Sequence, residues 1–293
     1  MTTLLLQEPE LSDWDFQTIS EIVYHYCGIH LGEDKKELVR SRLARRLRIK
    51  GHKRFSDYLD YILQNIGGEE FYSFIDSIST NFTSFFREKQ HFDYLANNFL
   101  LSLISRKSKK GDYRIRAWSA GCSSGEEVYS MAIAMLDALG GDPRWDIKIL
   151  ATDISTWMLD TARRAIYDQK KIEPLNVTQR QKYLTIHDMD GQKYYEVKNN
   201  LRNIITIKHL NLMDIWPIRT PLDFIFCRNV MIYFDKTTQQ NLISRFWDAL
   251  DVNGILFTGH SESLAGITHS FKYVQPAVYK KSSSVKKCIK EEL

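Results

Sequence analysis

The sequence lacks any long apolar run: stretches such as residues 131–136 fall far short of the roughly 20 residues that a membrane-spanning helix needs. Residues 4–6 are leucines, but Glu8 and Glu10 follow, with no basic n-region and no sustained apolar segment, so no signal peptide is expected. Cysteine is scarce. Cys27, Cys122, Cys227 and Cys288 are scattered, none in a CxxC spacing, and no histidine cluster joins them. This argues against a disulfide framework or a zinc site; a reduced, cytoplasmic setting with no metal is the expectation. Net charge is small as well: +4 over 293 residues does not by itself imply a polyanionic partner. With 43% apolar and 26% charged residues, the composition also excludes collagen-like or wholly disordered chains.

What is present is an uneven distribution of charge. Between Lys35 and Arg54 stand ten basic residues and one acid, Glu37, while the rest of the first eighty residues is acidic by comparison. Residues 12–80 read as helical throughout. Ser12 can cap a helix in which Phe16, Ile19, Val23 and Tyr26 keep a helical period, and Gly28 can end it. A second helix is expected over residues 34–49, with Val39, Leu43 and Leu47 as its apolar stripe and Gly51 as its stop; residues 55–63 and 69–79 read as two more. Arg42, Arg45, Arg46 and Arg48 gather beside that stripe, which suits docking to an acidic partner, either a nucleic acid or an acidic protein helix.

From Tyr113 the rhythm changes to strands alternating with helices, the signature of an α/β fold with a doubly wound, mostly parallel sheet. Strands are expected at 113–119, 147–152, 222–227 and 254–259, and helices at 126–139, 155–165 and 237–250. Residues 183–207 break the pattern and suggest an inserted antiparallel β-subdomain, with strands at 194–197 and 204–207. The expected organisation is therefore 1–80 helical with a basic helix at about 34–50; 81–110 a connecting segment with a polar turn, an aromatic-rich helix carrying Phe92, Tyr94, Leu95 and Phe99, and the basic stretch 106–110 as the linker itself; 111–280 the α/β domain with its insert at about 178–208; and 281–293 a polar tail.

Polar residues collect where that topology places strand ends. Gly121-Cys122-Ser123-Ser124-Gly125 follows the first strand and is trailed by Glu126 and Glu127, which would repel a pyrophosphate but suit a cationic or neutral nucleoside. Asp153 ends the second strand, where an acid accepts hydrogen bonds from a ribose diol, or merely caps the next helix. Phe226-Cys227-Arg228-Asn229 ends a buried strand and Tyr233 follows four residues later. In the run from Asn81 to Glu88, Thr83, Ser84 and Arg87 offer two hydroxyls and one guanidinium for a small carboxylate, or a helix cap with an aromatic hinge. Gly121 to Gly125 also satisfies G-x-S-x-G with Ser123 central and His260 later in the chain, so a serine esterase is the competing enzyme reading.

Five runs together resemble the CheR family of S-adenosylmethionine-dependent chemoreceptor glutamate O-methyltransferases. They are Thr80-Asn81-Phe82-Thr83-Ser84-Phe85-Phe86-Arg87-Glu88, Trp118-Ser119-Ala120-Gly121-Cys122-Ser123-Ser124-Gly125-Glu126-Glu127, Ala151-Thr152-Asp153-Ile154, Phe226-Cys227-Arg228-Asn229-Val230-Met231-Ile232-Tyr233-Phe234-Asp235 and Gly259-His260-Ser261-Glu262. The resemblance covers about residues 12–280 and implies a class I methyltransferase-like domain behind a small all-α domain, with a β-subdomain inserted. Carried over by motif, it implies cofactor contacts at Asn81, Thr83, Arg87, Glu127, Asp153, Asn211, Leu212, Arg228 and Asn229, so that the 81–110 segment includes a cofactor-contacting turn. Arg87 and Tyr233 would position the reacting groups, and Arg42, Arg45, Arg46 and Arg48 would match a receptor-docking helix. The implied cofactor is S-adenosylmethionine, with S-adenosylhomocysteine as product. The implied partner is the cytoplasmic helical domain of chemoreceptors, not nucleic acid or a membrane, engaged by a monomer. Some members bind a receptor-tail pentapeptide through a glycine-containing loop of the β-subdomain; here the loop His187-Asp188-Met189-Asp190-Gly191 is acidic with one glycine, and such binding is not expected. A nucleic-acid methyltransferase using the basic helix is the remaining alternative.

Overall fold

The helical periods of the first eighty residues and the strand–helix alternation after Tyr113 are both realised in the computed structural model, which describes residues 9–282. Residues 4–6, Cys288 and all but the first two residues of the expected tail lie outside the described residues. Contacts divide the chain into two units: the residues up to Thr80 with Tyr233–Asp235, and Asn81–Ile232 with the chain from Lys236 on. No described helix is long and apolar enough to cross a membrane.

In the first unit α1 spans Asp13–Cys27, α2 Lys36–Lys50, α3 Phe55–Gln64 and α4 Glu69–Ile78. The Ser12 hydroxyl caps α1 by accepting from Asp15 N, and Gly28 ends it at φ 75°, a left-handed conformation that costs glycine little. The buried stripe of α2 is Val39, Leu43, Ala44 and Leu47. It packs in a core with Phe55, Tyr58, Phe71 and Phe74, all at most 1% exposed. Glu70 is buried in the same unit and is held by three donors: Tyr58 Oη at 2.8 Å, the Arg46 guanidinium, and Lys50 Nζ at 3.1 Å. Burial pushes the Glu70 carboxyl up, but these donors outweigh it and hold the group below its usual range. Arg42 also turns inward, donating to the carbonyls of Ile78 and Ser79. The chain returns to this unit at Tyr233–Asp235: His30 N donates to Tyr233 O at 2.8 Å, Ile29 bridges Phe234, and Tyr24 Oη donates to Asp235 at 2.7 Å.

The second unit begins with one long helical stretch: α5 at Lys89–Tyr94, a π-type widening at Leu95–Leu100, and α6 at Leu101–Ser108. The expected linker at 106–110 is therefore corrected. Most of that basic stretch is the end of α6, anchored by Leu103 (fully buried) and by Lys107, whose ammonium lies 2.7 Å from the buried Asp223 carboxylate. Then come β1 (Arg114–Ala120), α7 (Glu126–Leu139), β2 (Asp146–Asp153), α8 (Thr156–Arg164), β3 (Ile166–Asp168), α9 (Val177–Tyr183), β4 (Leu184–Met189), β5 (Gln192–Val197), α10 (Asn199–Arg202), β6 (Ile205–His209), β7 (Leu222–Phe226), α11 (Lys236–Ala249), β8 (Leu250–Phe257), β9 (Lys272–Gln275) and β10 (Val278–Lys280).

The main sheet runs β6-β2-β1-β7-β8-β10-β9, parallel through β8 and antiparallel at β10 and β9. This is the class I methyltransferase arrangement, mostly parallel, with the strand order reversing between β1 and β7. The antiparallel β-subdomain has order β3-β5-β4. One boundary differs from expectation. Residues 204–207 do not join the insert; β6 pairs in parallel with β2, placing Ile205 opposite Ile149 and Ile207 opposite Ala151. The third strand of the insert is β3, directly after α8. Short apolar segments carry no label for the sheet they join, and β6 covers an edge of β2 that would otherwise leave backbone groups unpaired.

Candidate functional site

At the reversal point of the sheet, the carboxyl ends of β1, β2 and β7 meet, which is where open α/β sheets bind ligands. The turn after β1 is shaped by two glycines at φ 90° and 99°. A Cβ on Gly121 would lie 2.4 Å from Val230 Cγ2, so the close approach of the two loops requires glycine there. Asp153, buried at the end of β2, ties the turns together. One carboxylate oxygen accepts from Ser123 N at 2.7 Å and the other from Ser155 N at 2.9 Å. Its backbone carbonyl accepts from Leu210 N, which brings Asn211 and Leu212, both buried, to the same edge.

The centre of the site is Arg228, 5% exposed. It donates to Glu127 Oε2 at 3.1 Å and to the Arg87 carbonyl at 2.5 Å, and lies 3.0 Å from Glu88 Oε2. The rings of Phe92 and Phe226 lie 5.6 Å from it. Glu127 also accepts from Ser119 Oγ at 2.7 Å. Burial pushes the Glu127 carboxyl above its usual range, opposed chiefly by Arg228. Burial also raises Glu88, but there Arg228 prevails and the carboxyl stays low. Asn229, in the left-handed region at φ 58°, reaches Glu88 Oε1 at 3.4 Å. Asn81 joins through its carbonyl, which accepts from Ser123 Oγ at 3.1 Å. Arg87 is half-buried; it donates to the Phe82 carbonyl at 2.7 Å and its guanidinium lies 5.2 Å from the Phe82 ring.

Thus the second unit holds two hydrogen-bonded groups at these strand ends, Asn81 with Asp153 through Ser123, and Arg87, Glu127 and Asn229 about Arg228 and Glu88, with Asn211-Leu212 beside Asp153 and Thr83 half-buried in the turn after Asn81. Tyr233, half-buried, belongs to the first unit, as do the four arginines of α2. Those arginines divide. Arg42 and Arg46 are tied to their own unit, while Arg45 and Arg48 are exposed. The esterase reading finds no support: Ser123 Oγ donates to a carbonyl, and the ring nitrogen of His260 lies 4.0 Å from Glu88 instead.

Three residues, Glu88, His91 and Glu262, went unassigned in the sequence. Glu88, His91 and His260 converge, with ligand atoms within 4.8 Å of one another. A cation added there would face the Arg228 guanidinium, which already lies against the same Glu88 oxygen, so the cluster extends the charge network rather than offering a favourable metal site. His91 is fully buried, with Nδ1 3.3 Å from Glu88 Oε2; burial first, then Arg228, pushes its pKa down to about 4. The third, Glu262, accepts backbone N–H groups from the Asn229–Ile232 turn. Glu88 and Glu262 stood inside recognisable motifs, but nothing in a sequence tells which carboxylate turns inward.

Comparison with known proteins adds a finding of a different kind. A family model described as "CheR methyltransferase, SAM binding domain" matches residues 81–280, and one described as "CheR methyltransferase, all-alpha domain" matches residues 14–79. The chain is 40% identical over 270 residues to the "Chemotaxis protein methyltransferase" of Borreliella burgdorferi, a match spanning 92% of this chain and 94% of that one. It is 40% identical over 283 residues to the Escherichia coli protein of the same description, spanning 95% of each.

The buried histidine gives a prediction. An unfolded imidazole protonates near pH 6.5, and His91 does so only at about 4, so the folded state loses stability as pH falls through that window, by on the order of 3 kcal/mol for this group. In an NMR titration the His91 ring is expected to stay neutral from pH 8 down to pH 5.5; protonation above pH 6 contradicts the buried, Arg228-facing placement.

Proposed function

The chain belongs to the CheR methyltransferase family, and from that premise we propose that it esterifies glutamate side chains in the cytoplasmic helical domain of chemoreceptors. It is an S-adenosylmethionine-dependent chemotaxis methyltransferase; the glutamate acceptor, the residue roles and the docking mode are the proposal. The observation that carries it is the buried Arg228 network past the end of β7, with the Asp153, Ser123 and Asn81 group at the ends of β2 and β1.

The donor set suits the cofactor. Glu88, Glu127 and Asp153 outnumber the two guanidinium groups of the site, Arg87 and Arg228, which favours a positively charged ligand. Arg228 Nε is buried with no hydrogen-bond partner, a donor left over for a ligand acceptor. When bound, S-adenosylmethionine supplies a methyl group already activated on a sulfonium. Asp153 sits at the end of β2 with a backbone N–H on each carboxylate oxygen, which fixes its orientation, and in this reading it accepts from the ribose hydroxyls. Glu127, Asn81, Thr83, Asn211 and Leu212 complete the cofactor contacts with Arg87, Arg228 and Asn229.

A glutamate acceptor is already ionised at neutral pH, so no general base is required. What the residues must contribute is alignment and exclusion of water. Arg87 spends one guanidinium nitrogen on the Phe82 carbonyl and keeps further donors to fork an acceptor carboxylate. The family motif assigns Tyr233 a second orienting role in this reading. On the first unit, exposed Arg45 and Arg48 carry the attraction to acidic receptor helices, while Arg42 and Arg46 hold the unit together.

Two outcomes test this reading. Calorimetric titration with S-adenosylhomocysteine is expected to give binding that Asp153→Ala abolishes and Tyr233→Phe leaves nearly intact, while Tyr233→Phe slows methyl transfer by about tenfold or more. Loss of affinity equal to the loss of rate would remove the orienting role. Arg45→Glu with Arg48→Glu is expected to raise KM for receptor several-fold, with a smaller effect at high salt and no loss of stability. By contrast, Arg46→Glu should destabilise the first unit by about 3 kcal/mol in urea, because Glu70 stays buried beside it. Receptor binding that ignores both Arg45 and salt would refute electrostatic docking.

A further inference from the structure

We propose that Glu262 is a positioning residue for the cofactor site: its carboxylate sets the backbone of residues 229–232 and so holds Asn229 and Arg228 in place. The inference rests on the reading of those two residues as cofactor contacts.

Glu262 lies in the turn after β8 and is 6% exposed. Its carboxylate has no basic partner among the described residues. Instead, Oε2 accepts from Gly259 N at 2.5 Å and Asn229 N at 2.8 Å, and Oε1 accepts from Ile232 N at 3.1 Å. A carboxylate can be buried without a cation only if fixed donors replace its hydration, and here all three are backbone amides. Two of them belong to the turn after β7. That turn holds Asn229 in the left-handed region, so its amides cannot be served by a sheet ladder or a helix. Glu262 supplies what the backbone cannot.

The turn is also pressed from the other side. A Cβ on Gly259 would lie 2.7 Å from Asn229 Nδ2, 2.8 Å from Glu262 Oε2 and 2.9 Å from Asn229 N. Its backbone is not in the left-handed region, so space alone requires glycine there. The turn of Gly259 to Glu262 is itself closed by Glu262 N donating to Gly259 O at 2.9 Å and by Thr258 Oγ1 donating to Glu262 O at 2.9 Å. The two turns thus form one clamp whose shared element is the Glu262 carboxylate. Arg228 and Asn229, on the clamped turn, are the residues that reach Glu127 and Glu88. Glu262 contacts neither side chain's charge network; it acts through the backbone that presents them.

The test is Glu262→Gln. The amide keeps the shape but turns one oxygen into an NH2 group, which must then face a backbone N–H. S-adenosylhomocysteine affinity is expected to fall about tenfold or more, and kcat at saturating cofactor to fall with it, in a protein whose near-UV circular dichroism is native. Asn229→Ala supplies the second arm. If Glu262 acts through that turn, the double variant binds about as weakly as the worse single variant. Should Glu262→Gln not fold, Gly259→Ala carries the same test, since it keeps the carboxylate but forces the turns apart. Wild-type affinity in Glu262→Gln, or additive losses in the cycle, would overturn the positioning role provided that Asp153→Ala still loses binding. If Asp153→Ala binds normally, the cofactor reading itself has failed and takes this inference with it.

Discussion

A guanidinium buried to 5% exposure can exist only where acceptors surround it, and the second unit is arranged around meeting that demand for Arg228. Its polar partners come from two distant places in the chain: the Arg87 carbonyl and Glu88 before α5, and Glu127 on the first turn of α7. Once these are brought to one point, the ends of β1 and β7 are fixed against each other. The Gly121 turn must then pass close to Val230, and the same turn carries Ser123, whose N–H donates to Asp153. The same network leaves an excess of carboxylate over guanidinium, which suits a positively charged methyl donor.

Buried carboxylates are satisfied in three ways in this chain, and each way suits a different task. Glu70 is paired with cations and holds helices together. Glu127 shares a cation with Glu88 and is pushed towards protonation by burial, which suits a group that meets a ligand. Glu262 has backbone amides alone and fixes the shape of a turn. On the first unit the basic helix follows the same logic in reverse. Arg42 and Arg46 spend their charge internally, so the surface that an acidic partner can feel is narrower than the sequence count of ten basic residues suggests.

Much of this was legible before any coordinates. Period and capping placed α1 to α4 to within a residue or two, because Ser12, Gly28 and Gly51 are local signals. The strand ends that carry Asp153 and Arg228 were readable because buried apolar runs stop at polar residues. What escaped was non-local. The basic stretch at 106–110 has a linker's composition, yet Lys107 finds Asp223 more than a hundred residues away. Residues 204–207 look like any short strand until β2 offers them an edge. Arg46 reads as a surface charge unless Glu70 is known to be buried beneath it. His91 carries no sequence signal at all, since its role comes from the neighbours Glu88, His260 and Arg228.

The central claim is that the acceptor is a carboxylate and the product an ester. The most direct measurement is to incubate the protein with methyl-labelled S-adenosylmethionine and receptor-containing membranes, isolate the labelled receptor and treat it with mild alkali. The account predicts receptor label that is released as methanol, as expected of a glutamate methyl ester. Label that survives alkali on the receptor, or that appears on nucleic acid in place of receptor, would contradict it.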